Sequence, residues 1–207
     1  MFNIGVLALQ GDVDAHIDIL ELLGARVCKI TKLSDLHGLD GIVIPGGEST
    51  TFSMLLESSG LFEPIKKIVS DGIPTLGTCA GLILLSTKVL DGRSDQKSFG
   101  LLNAVVKRNG FGRQISSFVD KIELQDSNNG EEATYINEEY QTVKVTGAFI
   151  RAPKIVSVGP GVQVLGTILQ KEIVYVREKN IFATSFHPEI TRNTFIHEKF
   201  LDAAKKG

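Results

Sequence analysis

The sequence predicts a three-layer α/β fold: a mostly parallel central sheet with helices on both faces. Three observations carry this. Short runs rich in Ile, Val and Leu alternate with stretches whose apolar residues recur at helical spacing, the order that successive βαβ units produce. The early strand-like runs are nearly continuous in apolar residues, as strands buried on both faces are. Several of them end on Gly or Pro where a strand hands over to a helix.

"NIGVLAL" (Asn3 to Leu9) is the first strand, ending at Gln10 and Gly11. Val13, Ile17, Leu20 and Leu23 then keep helical spacing up to Gly24, a helix stop. "ARVCKI" reads as a second strand and "DGIVIPGG" as a third, terminated by Pro45, Gly46 and Gly47. Residues 49–70 carry two helical patterns, interrupted around Ser59 and Gly60. "IPTLGT" is a fourth strand, followed at once by the apolar helix "AGLILLS". After Ser98 strand composition dominates, in "LLNAVVKR", "SSFVDKIEL", "VKVTGAFIRAP", "VQVLGTI", "EIVYVRE" and "IFATSF". These runs either extend the central sheet or form a smaller antiparallel layer. The acidic segment between Gln125 and Gln141 reads as a surface insertion, and Thr194 to Lys206 as a C-terminal helix. With no internal repeat and no long linker, residues 1–207 are expected to form one domain.

Composition excludes several function classes. Apolar residues make up 43% of the 207 positions, enough for a sizeable core, and the formal net charge is −2 with no basic cluster, which argues against nucleic acid. No apolar run approaches the ~20 residues that span a bilayer, so no membrane partner is expected. Cys28 and Cys79 are too few for a disulfide framework and belong to no metal-spaced cluster. No export signal precedes the first strand, so a cytoplasmic protein with reduced thiols is expected, without metal or cofactor.

Three loops carry chemistry. Gly77-Thr78-Cys79-Ala80-Gly81, between a strand and a helix, has the form of a nucleophile elbow with sulfur in place of a hydroxyl. Small neighbours leave room for the turn, and the helix N-terminus favours thiolate over thiol. Alone, the segment also fits a packed cysteine. Cys28, mid-strand by pattern, reads as packing. In "FATSFHPEI", Pro188 keeps His187 extended, and residues two apart in extended chain share a side. Glu189 can therefore orient the His187 imidazole. "VIPGGEST" supplies flexible backbone at Gly46 and Gly47 and then the start of a helix. All three loops follow strands, and in parallel α/β sheets ligand sites lie beyond the carboxyl ends of strands. His37 and His197 read as solvated surface residues.

"PGGEST", "GTCAGLILL" and "SFHPE", in this order and at these separations, resemble class I, triad-type glutamine amidotransferases, a flavodoxin-like α/β family. "IGVLALQGDVDAH", "RNGFGRQ" (Arg108 to Gln114) and "FIRAP" (Phe149 to Pro153) narrow the resemblance to the glutaminase subunits of pyridoxal 5'-phosphate synthase. The resemblance implies a Cys79 nucleophile completed by His187 and Glu189, with oxyanion donors from the backbone N–H groups of Gly47 and Ala80. It implies L-glutamine held by Gly47, Glu48, Ser49, Arg108, Ile150 and Arg151. Hydrolysis through a γ-glutamyl thioester would release glutamate and ammonia, the latter passing to a synthase (lyase) subunit in a heteromeric complex. Gln10 and His16 would lie near the mouth of the site and the partner interface. Ala15 stands where the family has Glu, and Ile190-Thr191-Arg192 replaces a Leu and an acidic residue. A glutaminase serving another acceptor, as in histidine biosynthesis, is disfavoured by "RNGFGRQ" and "FIRAP". A non-catalytic module with a redox-sensitive cysteine is disfavoured by the complete Cys, His and Glu set.

Overall fold

The computed structural model describes residues 2–111, 117–125, 142–169 and 171–205. The acidic segment beyond Gln125 and the Gly112 to Gln114 part of "RNGFGRQ" lie outside the described residues. The first half of the chain runs β1 (Asn3–Leu7), α1 (Val13–Leu22), β2 (Arg26–Ile30), β3 (Gly41–Ile44), α2 (Ser49–Ser58), α3 (Phe62–Ser70), β4 (Thr75–Thr78) and α4 (Ala80–Leu85). Next come β5 (Ser86–Val89), β6 (Leu102–Lys107), β7 (Ser117–Gln125), β8 (Thr142–Ile150) and β9 (Lys154–Val158). The chain closes with β10 (Gln163–Ile168), β11 (Glu172–Glu178), β12 (Ile181–Thr184) and α5 (Phe195–Ala204).

Nine strands form one sheet in the order β2-β1-β3-β4-β12-β11-β10-β7-β8. The five from β2 to β12 are parallel, as the βα alternation requires, and β11, β10, β7 and β8 continue the sheet antiparallel. The later runs thus take both courses open to them: most extend the central sheet, while "LLNAVVKR" supplies β6 of a separate three-stranded sheet, β5-β6-β9. β5 and β9 escape the sequence reading because each buries little, and their apolar pattern is correspondingly weak.

Alternation along the strands sorts the core into two layers. Ile42 and Ile44 face α2, α3 and α4 through Phe52, Leu56, Phe62 and Ile65, and Leu102, Val106 and Ile155 of the small sheet join that layer. Val43 and Leu76 face the other way, toward Leu20 of α1 and Ile196 and Phe200 of α5. Helices therefore cover both faces. The packing role read for Cys28 is corrected: its residue is exposed, and among the described residues its strand β2 pairs only with β1, at the edge of the sheet.

Candidate active site

β4 ends at Thr78, and Cys79 makes the turn with φ 50° and ψ −98°. Such a conformation costs a non-glycine residue about 1–3 kcal/mol and persists only where its surroundings hold it. Here the Cys79 N–H donates to Thr184 O at 2.8 Å, and α4 starts immediately. Both flanking glycines are required by space. A Cβ on Gly81 would meet Ile44 O at 2.2 Å, and one on Gly77 would meet Leu85 Cδ1 at 2.5 Å and the Gly81 carbonyl carbon at 2.9 Å. The small residues beside the cysteine thus let α4 close onto β3 and β4.

β12 lies next to β4, with Thr78 and Thr184 as register partners, so the chain leaving β12 emerges beside Cys79. Ser185 and Phe186 carry it to His187, whose N–H donates to Ala148 O of β8 at 2.8 Å. His187 Nδ1 and Glu189 Oε1 are 2.6 Å apart; the extended run expected there ends at His187, and a turn that begins at Pro188 brings the carboxylate back to the ring. The imidazole and the Cys79 thiol line the same cleft. Burial works against charge on His187, yet the hydrogen bonds and charges of Cys79 and Glu189 outweigh it and raise its pKa to about 10. Burial likewise pushes the Glu189 carboxyl up, while His16 and His187 more than offset this and hold it well below the usual range. A thiol, an imidazole and a carboxylate in this chain can create a thiolate and then shuttle its proton.

Cys79 and His187 open onto a cleft of about 270 Å³, lined also by Gly47, Glu48, Arg108, Ile150 and Arg151. Gly47 has φ 149°, open to glycine, and Gln10 Nε2 would lie 3.0 Å from a Cβ there. Glu48 caps α2, accepting from Thr50 N and Thr51 N at 3.1 and 2.7 Å. Burial pushes its carboxyl up, but those amides, the Thr51 hydroxyl and Arg108 bring it down to about 2. Arg108 donates to Glu48 Oε1 at 2.9 Å, to Thr50 Oγ1 at 3.0 Å and to Gln96 Oε1 at 3.1 Å. Ile150 turns its carbonyl toward Cys79 Sγ at 4.0 Å, and Arg151 follows with φ 45°. An ionised acid beside an arginine suits the ammonium and carboxylate of an amino acid. No group of three or more metal-ligating side chains converges among the described residues.

Two further histidines are placed differently from expectation. His16 and His197 are both fully buried, one in α1 and one in α5, which corrects the surface reading of His197 and places the His16 side chain inside the chain. Gln10 is half-buried beside Gly47 and Glu48, its Nε2 donating to Glu48 O at 2.7 Å. Thr50 of "PGGEST" and Gln96 hold Arg108, and nothing in the polar loop around Gln96 singles it out in sequence.

A profile of the SNO glutamine amidotransferase family matches residues 6–206. The chain is 42% identical to the pyridoxal 5'-phosphate synthase subunit PdxT of Corynebacterium jeikeium, over 98% of this chain and 97% of that protein. It is 44% identical to the protein of the same name from Salinispora tropica, over 98% and 96%. Among solved structures, one described as a glutamine amidotransferase superposes with a TM-score of 0.85 at 37% identity, covering 98% of both chains. A putative GMP synthase subunit from Thermoplasma acidophilum shares the fold, at a TM-score of 0.67 and 18% identity over 100% of this chain and 95% of that one.

Proposed function

The chain belongs to the SNO glutamine amidotransferase family, and from that premise we propose that it is the glutaminase subunit of a pyridoxal 5'-phosphate synthase. The single observation that carries the reading is that Cys79 and His187 line one cleft while Glu189 is hydrogen-bonded to the imidazole Nδ1 behind them. Cys79, as thiolate, attacks the side-chain amide carbon of L-glutamine. The backbone N–H groups of Gly47 and Ala80 receive the developing oxyanion. His187, as imidazolium, gives its proton to the departing ammonia, forming the γ-glutamyl thioester. It then takes a proton from water, which attacks the thioester and frees glutamate. Glu189 keeps the imidazole oriented and stabilises its charged form throughout.

Recognition of the substrate follows from the other wall. Arg108 and the Ile150-Arg151 backbone take the α-carboxylate, and Glu48 with Ser49 takes the α-ammonium. Residues 1–207 act as one glutaminase domain, and ammonia passes to a synthase subunit docked near Gln10. We place the reaction in the cytoplasm, where the thiol stays reduced; no helix among the described residues is long and apolar enough to cross a membrane. The test is glutamate release from glutamine with and without the cognate synthase subunit. Activity is expected to rise when that subunit is present and to be lost in Cys79→Ala. Undiminished activity in Cys79→Ala would overturn the assignment.

A further inference from the structure

The triad leaves one group without a partner. Glu189 is 2% exposed and gives Oε1 to His187, but among the described residues Oε2 has no hydrogen bond of ordinary geometry. A buried carboxylate oxygen left bare is costly, and protonation or rotation of the carboxyl would relieve the cost. Either would disarm the imidazole. The nearest polar group is His16, whose Nε2 lies 3.5 Å from Oε2 and 3.3 Å from Thr78 Oγ1. The other nitrogen of that ring, Nδ1, meets His197 Nε2 at 2.9 Å. Both rings are fully buried, so water does not decide their protons.

We propose that His16 is a positioning residue for glutamine hydrolysis, presenting Nε2–H to Glu189 Oε2, with His197 holding the ring from behind. The proposal rests on the triad reading above. The geometry leaves the Nε2–H shared between Oε2 and Thr78 Oγ1, the two acceptors it faces. The Nδ1–H tautomer would set the lone pair of Nε2 against the carboxylate. Through this contact Glu189 stays ionised and keeps one rotation, with Oε1 aimed at His187 Nδ1. α1 and α5 thereby support the triad from the side opposite the cleft, although neither helix reaches the substrate. Sequence places the two histidines 181 positions apart, so no motif connects them.

The test uses the whole chain with Cys28→Ser, so that Cys79 is the thiol read by iodoacetamide. His16→Met fills the volume of a glutamine without an N–H, and His16→Gln restores a donor. Labelling of Cys79 at neutral pH should fall about tenfold in His16→Met and stay within about twofold of the parent in His16→Gln. Equal rates in the two variants would mean that His16 only fills space. A His187→Asn control separates this from the underlying reading. Unchanged labelling there sinks the triad itself, whereas slowed labelling there with parent-like His16→Met sinks only the role of His16. Nitrogen-15 spectra of the histidine rings in the unsubstituted chain decide the matter even if the variants fold poorly. A protonated His16 Nε2 is expected, and a bare Nε2 overturns the proposal.

Discussion

Gly46→Ala would test the active-site geometry with one methyl group. Gly46 does not occupy the left-handed region, so alanine costs its backbone little. A Cβ there would lie 2.2 Å from His187 Cε1, and 3.0 and 3.1 Å from the two ring nitrogens, whereas ordinary contact begins at 3.4 Å. The imidazole must therefore retreat by roughly 1.2 Å, since the obstacle is the ring itself. It cannot do so freely: the backbone of His187 is tied to Ala148 and its Nδ1 to Glu189 at 2.6 Å. A displacement near 1 Å at reacting groups costs about a hundredfold in rate. We expect kcat for glutamate release, measured with the synthase subunit present, to fall by about that factor. Overpacking should cost about 1–3 kcal/mol of stability, visible as a modest drop in Tm of a chain that still folds. A variant with kcat within twofold of the parent and an unchanged Tm would refute the reasoning, since His187 would then tolerate a shift that general-base chemistry does not.

The remaining predictions concern substrate recognition and pH. Arg108→Ala should raise KM for glutamine more than it lowers kcat, because the guanidinium meets the substrate away from the reacting carbon; steady-state kinetics with an unchanged KM would count against it. Glu48, with its folded pKa lowered from 4.5 to about 2, contributes stability that is present above pH 4.5 and lost as pH falls toward 2. The Tm gap between the parent and Glu48→Gln should accordingly be open at pH 7 and close over that acid range; a gap constant with pH would show that the cap does not depend on charge.

The three active-site loops were legible because their constraints are local. A glycine on each side of Cys79 reports a turn too tight for a Cβ, and the structure supplies the atoms that would be struck, Ile44 O and Leu85 Cδ1. Pro188 likewise reports an extended His187, while the turn that brings Glu189 to the ring was not legible from it. What stayed hidden depends on strand order and long-range packing. Cys28 has the surroundings of a core strand, and only the position of β2 at the sheet edge exposes it. His16 sits between Asp14 and Asp18, a polar context that suggests solvent, until α5 is laid beside α1 and brings His197 against it. β5 and β9 are short and half-exposed, so neither alternation nor an apolar run announces them.

The register of β4 with β12 has a thermodynamic consequence. The nucleophile leaves one strand at Thr78 and the base leaves its neighbour after Thr184, and these two residues are partners on the same rung. Their separation is thus set by the spacing of adjacent strands, about 4.8 Å, and not by the conformation of a lid. The two strands are buried and lie inside the nine-stranded sheet, where local opening costs most. The two strand ends from which Cys79 and the His187 loop depart are therefore anchored at the most enclosed part of the sheet.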